Sequence, residues 1–398
     1  MSRAFHHLLR QRDGHEASVS NAELFFDLIY VFAVTQLSHR LLADLSLAGA
    51  IETLLLWFAV WLAWQYTAWM TNWFDPESKP VRLLLFAIMG VGLVLAAALP
   101  QAFAGRALVV GACFAVIQLG RTLCILFFLG GEHALTANYR RILGWQAMSA
   151  ALWLVGGISG DATRLALWTL AVLAEYVAPM VGFWLPGLGR SDSRREWTIE
   201  GGHLAERCQL FVIVALGEAI LITGATLSSL PAWSAPVLIA TLVAFVGSLA
   251  LWWVYFDTGC RAATEAIAHA DDPGKMGAHF HYVHVALVGA IIVNAVGNEL
   301  VIAQPDGTLV PRTLAVLIGG PALYLVANAV FKRMVYGRLP LSHLVGLALL
   351  AVLTPFGFRT DLLMVGGLTT LILAVVAIWE SMSRGRIAES AAQHGQEA

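Results

Sequence analysis

Apolar runs near twenty residues recur along almost the whole chain, and few folds can hide that many. Of 398 residues, 59% are hydrophobic and only 13% charged, about half the charged share of a soluble domain. A water-soluble fold would lack the polar surface to cover such runs. A membrane β-barrel would alternate apolar and polar residues instead of running continuously apolar. The expected fold class is therefore all-α: a polytopic integral membrane helix bundle of about 12 transmembrane helices. The expected spans are 22–42, 48–71, 81–99, 106–129, 141–158, 163–185, 204–227, 234–256, 280–302, 312–331, 341–356 and 361–382. The eleventh is the shortest and ends at Pro355.

Charge placement orients these spans. With the N-terminus in the cytoplasm, seventeen of the 24 Lys and Arg residues fall in cytoplasmic segments, among them Arg3, Arg10, Arg140, Arg190, Lys332 and Arg384. Five fall on the other side: Arg40, Arg106, Arg164, Arg312 and Arg359. Arg121 and Arg207 lie within spans. This positive-inside asymmetry predicts both termini in the cytoplasm. No long apolar stretch precedes a small-residue cleavage site, so the first span would itself act as the insertion signal.

The expected organisation is a cytoplasmic N-terminal segment 1–20, a first six-helix half 21–185, a linker 186–203, a second six-helix half 204–383 and a polar, unstructured tail 384–398. Glu23 and Glu206 each open a span, 183 positions apart; Trp73-Phe74-Asp75 and Tyr255-Phe256-Asp257 close spans, 182 apart. Two matches at offsets that differ by one residue suggest two six-helix repeats, which an even span count makes parallel.

The candidate functional residues are the polar ones inside the spans. Glu23 and Asp27 are four apart and share a helix face. A carboxylate facing lipid costs a few kcal/mol or more, so both should face other helices or water. The later spans add Arg121, Glu175, His203, Glu206, Arg207, Glu218, His284, Asn294 and Asn298. Arg121 needs a partner at depth, with Glu175, Glu218 or Asp27 as the choices. The acids outnumber what one arginine needs, and surplus buried acids hold protons or bind cations. For each residue taken singly, a satisfied helix–helix contact explains it equally well. Trp61, Gln65 and Trp69 share one face of the second span, which can either pack or line a cavity.

Other chemistries have little support. His203 and Glu206 share a face, but there is no HExxH and no second His–carboxylate pair at that depth, so no metal site is expected. Four scattered cysteines form no CxxC pair. No Walker loop, dinucleotide fingerprint or GxSxG elbow occurs, and the sequence names no cofactor. A net charge of −2 gives no basic bias toward nucleic acid. The expected partners are membrane lipids and a small-molecule or ion substrate; oligomeric state is open.

The stretches AELFFDLIYVFAVTQLS (22–38) and HLAERCQLFVIVALGEAIL (203–221) resemble the two signature segments of the bacterial low temperature requirement protein A (LtrA) family. The resemblance covers about residues 16–383, with Tyr30 as a minor departure, and implies a multi-pass inner-membrane protein. It marks Glu23, Phe26, Asp27, Gln36, His203, Glu206, Arg207, Gly217 and Glu218 as motif residues, and implies no substrate. Phe25-Phe26-Asp27 also resembles the F-S-D motif of a class of potassium channels, but the second half carries Gln209-Leu210-Phe211 and no aspartate there.

The function expected is transport of a small solute or ion, proton-coupled transport being one form, with Glu23, Asp27, Glu206 and Glu218 as ionisable candidates. The alternatives are a passive cation channel, an intramembrane enzyme and a non-transporting membrane regulator. An enzyme is the less favoured class. A sealed dry core would point to a regulator, and a polar cleft open to lipid to an enzyme.

Overall fold

The computed structural model describes residues 8–10, 17–131, 133–268 and 270–396. The expected segment 1–20 therefore lies partly, and residues 397–398 of the expected tail wholly, outside the described residues. Among the described residues there are thirteen α-helices: α1 (Asn21–Ala43), α2 (Leu47–Trp73), α3 (Lys79–Ala98), α4 (Ala107–Leu129), α5 (Ala134–Ile158), α6 (Asp161–Met180), α7 (Ser193–Glu196), α8 (Gly201–Ser229), α9 (Ala235–Ala268), α10 (Pro273–Ala303), α11 (Pro311–Tyr336), α12 (Leu341–Gly357) and α13 (Leu362–Gln396). Extended pairing among them is limited to single bridges such as Leu9–Phe74.

Each expected span falls on one long helix, but the helices are not all alike. Eight are long and apolar enough to cross a membrane: α2, α3, α4, α8, α9, α10, α11 and α13. Helix α12 is apolar but shorter, at 17 residues. Helices α1, α5 and α6 are long enough, at 23, 25 and 20 residues, but more polar. They carry Glu23, Asp27 and Arg40; Arg140 and Arg141; and Asp161, Arg164 and Glu175, respectively.

Local chemistry sets the ends. Ser20 caps α1: its hydroxyl accepts from the Glu23 N–H, and Glu23 Oε2 accepts from the Ser20 N–H at 2.9 Å. This reciprocal pair satisfies two amides that the first helical turn leaves open. Ser46 caps α2 through the Gly49 N–H. Pro179 sits in the last turn of α6, and the chain then turns through Gly182 and Phe183, both at positive φ. The sixth helix thus stops at Met180, short of the expected 185. The stretch between the eighth and ninth expected spans, 257–279, is largely helical, because α9 runs on to Ala268 and α10 starts at Pro273. The stretch after Ser383, expected to be unstructured, continues α13 to Gln396.

The helices group into two compact units. Unit 1 comprises Met1–Phe211 with Ile267–His281, and unit 2 comprises Val212–Ala266 with Tyr282–Ala398. In unit 1, α2 is the most enclosed helix, with Val60, Trp61, Ala63, Trp64 and Ala68 fully buried. Helices α4 and α5 approach closely at Gly111, where a Cβ would lie 2.5 Å from the Trp153 carbonyl oxygen. The arrangement is inside-out relative to a soluble fold. On α1, Glu23 and Asp27 are 0% exposed, while Phe25 is 54% and Leu28 52% exposed. Apolar residues outward and acids inward is the pattern a lipid solvent selects.

Candidate functional site

Unit 1 holds two buried clusters of charge. The first forms where the opening turns of α1 and α8 meet the end of α2. Residues 8–10 form one rung of antiparallel pairing with the end of α2: the Arg10 N–H donates to the Trp73 carbonyl at 2.9 Å, and the Asp75 N–H to the Leu8 carbonyl at 2.8 Å. That rung places Arg10 Nη2 2.9 Å from Glu23 Oε2. The other Glu23 oxygen is 3.1 Å from both His203 Nε2 and Arg207 Nη1. Arg207 Nη2 reaches Asp27 Oδ1 at 2.6 Å, and Trp64 Nε1 donates to the same oxygen at 2.7 Å. His203 and Arg207 are three and seven residues into α8, and the motif Glu, Asp, His and Arg are all 0% exposed.

The roles of His203 follow from its neighbours. Asn72 Oδ1 accepts from the Glu200 N–H at 2.8 Å, which turns Asn72 Nδ2 toward the Glu200 carbonyl and His203 Nδ1. His203 Nε2 in turn faces both Glu23 Oε1 and Arg10 Nη2, each at 3.1 Å.

The second cluster joins α4, α5 and α6 beside α2. Arg121 Nη1 donates to Thr67 Oγ1 at 3.1 Å and lies 3.4 Å from the Ala63 carbonyl. Its other arm donates to Gln118 Oε1, and Gln118 Nε2 donates to Glu175. Ser149 donates to the other Glu175 oxygen. Arg121 and Glu175 are thus joined through an amide. Gln146, with its amide oxygen turned toward Arg121, accepts from Nη2 at 3.0 Å. Tyr66 lays its ring 5.3 Å from the guanidinium carbon.

A cavity opens beside this second cluster. Its lining includes Gln65, Tyr66, Trp69, Arg121, Asn138 and Glu175. It leaves about 40 Å³ for the centres of water-sized spheres, and one such sphere needs roughly 10–15 Å³. The cavity is therefore sized for a few waters or one small ion. Gln65 Oε1 and Asn138 Oδ1 are buried and, among the described residues, have no hydrogen-bond partner. Asp27 Oδ2 and the Tyr30 hydroxyl share that condition. Tyr30 is buried one turn beyond Asp27 on α1.

Of the residues singled out from sequence, Glu23, Asp27, His203 and Arg207 come together, as do Arg121 and Glu175. Glu206 is half-buried and accepts from the Val19 N–H at 3.2 Å. Glu218, His284, Asn294 and Asn298 belong to unit 2. There His284 is buried and bonds the Tyr255 hydroxyl at 2.6 Å. Asn294 and Asn298 line a small cavity with Thr369 and Thr370. Glu218 is buried. Unit 2 also holds a cluster that the sequence did not single out. Lys332 pairs with Glu380 at 2.7 Å, Ser342 donates to Glu380, and His343 Nε2 lies 2.9 Å from Asn328 Oδ1. Lys332 and Glu380 sit at expected span ends, where charge looks like ordinary loop charge. Among the described residues, no group of three or more His, Cys, Asp or Glu side chains is placed to hold a metal ion.

The family model for the bacterial low temperature requirement A protein (LtrA) matches residues 18–378. The chain belongs to the LtrA family. The matched stretch carries both charge clusters of unit 1 apart from Arg10. The chain is also 38% identical over 392 residues to the uncharacterized protein RA0937 of Rhizobium meliloti (strain 1021), covering 97% of this chain and 94% of that one. No solved structure matches. Family membership and the run of long apolar helices make this a multi-pass membrane protein of a bacterial family, in contact with lipid.

Proposed function

We propose that this LtrA-family protein transports a small solute or ion across the bacterial inner membrane, with protons as a coupling ion. The observation that carries the reading is the polar surplus on α1 beside the first cluster of unit 1. A purely structural ion pair leaves no lone oxygen behind, because an unsatisfied buried polar group costs about 1–3 kcal/mol. Among the described residues, Asp27 nevertheless commits one oxygen to Arg207 and Trp64 and leaves Oδ2 without a partner, and Tyr30 adds an unmatched hydroxyl. Groups in that state suit a mobile guest, whether water, proton or ion.

The same proposal takes α1, α5, α6 and α12 as crossing helices, giving twelve, with both termini cytoplasmic. Support comes from where the more polar helices turn their charge. On α5, Asn138, Arg141 and Gln146 are buried, while Met148, Leu154 and Val155 are exposed. On α6, Arg164 and Glu175 are buried, while Leu170, Leu173 and Val177 are exposed. Two parallel six-helix repeats, 21–185 and 204–383 joined by 186–203, belong to the proposal as well. Their support is the shared offset of Glu23 and Glu206; the second matched pair differs locally, since Asp75 follows α2 whereas Asp257 lies inside α9.

The test is flux in reconstituted vesicles under an imposed pH gradient, read with a trapped pH dye and a panel of small cations and neutral solutes. Tyr30→Phe removes a hydroxyl that has no partner, so folding should hold while flux falls. Glu218→Gln is expected to leave a folded protein whose flux no longer depends on pH. Wild-type flux and pH dependence in Glu218→Gln would remove Glu218 from the mechanism. Flux that rises linearly with gradient and never saturates would make the protein a channel. Absence of flux for every solute would end the transport reading.

A further inference from the structure

We propose that the cavity of unit 1 binds a small monovalent cation of the ammonium class, held by the amide oxygens of Gln65 and Asn138. This names a substrate class for the transport reading and rests on that reading for its biological consequence, though the binding itself does not depend on it.

The polarity of the unmatched groups selects the ligand. Both unmatched groups in the lining are amide oxygens, which only accept. Asn138 is 1% exposed and Gln65 7%. A carboxylate or phosphate placed between them would face lone pairs on both sides. A ligand that donates hydrogen bonds, or a bare cation, satisfies both at once.

Arg121 would repel a cation if it stood alone, but both of its terminal nitrogens already donate to the protein. Thr67, the Ala63 carbonyl and Gln118 accept from them. One amide links the guanidinium to the Glu175 carboxyl at the cavity wall. The remaining wall is largely aromatic: Tyr66, Trp69, Trp73, Tyr139 and Trp197. Aromatic faces attract ammonium ions, more strongly as water is excluded. Ordered water could also donate to the two oxygens, but it gains nothing comparable from the rings. Size limits the class: room for about three waters admits ammonium or methylammonium and rejects tetramethylammonium.

The experiment is equilibrium binding to the purified full-length chain in detergent, read by tryptophan fluorescence and by calorimetry. Trp69, Trp73 and Trp197 line the cavity and report occupancy directly. The titrants are ammonium, methylammonium, tetramethylammonium, potassium and sodium chloride. We expect saturable binding of ammonium and methylammonium, and none of tetramethylammonium. Gln65→Leu and Asn138→Leu should each weaken binding at least tenfold. Both variants should melt no lower than wild type, because each removes an unmatched buried oxygen. Equal affinity in folded variants, preference for potassium or sodium, or no saturable binding would each overturn the proposal. Binding without any flux in vesicles would leave this site standing and end the transport reading. Ammonium flux undiminished in Gln65→Leu and Asn138→Leu would leave the transport reading standing and overturn this site's assignment as the one that takes the transported substrate.

Discussion

Arg207 is the residue on which the first cluster turns, because one guanidinium serves two carboxylates: Asp27 at 2.6 Å and Glu23 at 3.1 Å. Removing one member of a buried pair strands the other, which costs about 3–5 kcal/mol, whereas removing both is often near neutral. Arg207→Met should therefore lower the melting temperature strongly, and Asp27→Asn on that background should restore part of the loss. Strictly additive effects in the two-by-two cycle would show that the two side chains do not interact. Glu23 should suffer less from the loss, since Arg10 and His203 also hold it. The acids, His203 and Arg207 could be read from the sequence because charge is conspicuous inside apolar runs. Arg10, Asn72 and Asn138 could not: Arg10 lies in a polar leader, and the two asparagines act through backbone and neighbours that only folding brings near. Gln65 was legible in part, as one member of a helix face able to line a cavity; its partner Trp69 lines it too, while Trp61 from that face does not.

Helix existence followed from hydropathy, but helix contacts depended on where a side chain is missing. Gly111 lets α4 approach the backbone of α5, and Gly157 returns the contact, with a Cβ there 2.9 Å from Leu108 Cα. Phe114 stacks on Trp153 beside this seam, ring centroids 4.4 Å apart. Small residues that allow close backbone approach drive helix association in lipid, where burial from water no longer can. Gly111→Ala should therefore destabilise the protein by about 1–3 kcal/mol, since only backbone movement relieves the overlap. Gly120, on the same helix, has nothing within 4 Å of its added Cβ. Gly120→Ala should be neutral or stabilising by up to about 1 kcal/mol through helix propensity. Thermal melts in detergent check the pair, and equal effects would mean that the α4–α5 seam is not tightly packed. Helix ends were less legible for the same reason that contacts were. The run after Tyr255-Phe256-Asp257 turns polar, which marks the end of an apolar segment and not the end of the helix, so α9 continues to Ala268.

At the scale of the whole molecule, the question is how many helices cross, and the linker answers it. If all twelve long helices cross, six precede residues 186–203, which then lie on the same side as the N-terminus. If only the eight most apolar helices cross, α2, α3 and α4 alone precede the linker, and it lies on the opposite side. The C-terminus does not discriminate, because both counts are even. Charge favours the first arrangement: in the second, Arg190, Arg194, Arg195 and Lys275 would move away from the side that holds the N-terminal arginines. Positive-inside bias opposes that transfer. It would also leave the long, charged α1, α5 and α6 outside the bilayer with their apolar faces in water, Phe25 and Leu28 among them. Reporter fusions at the N-terminus, within 186–203 and after Ser383 are expected to read cytoplasmic at all three places. A periplasmic linker between two cytoplasmic termini would replace twelve crossings with eight, and would take α1, and with it Glu23 and Asp27, out of the membrane.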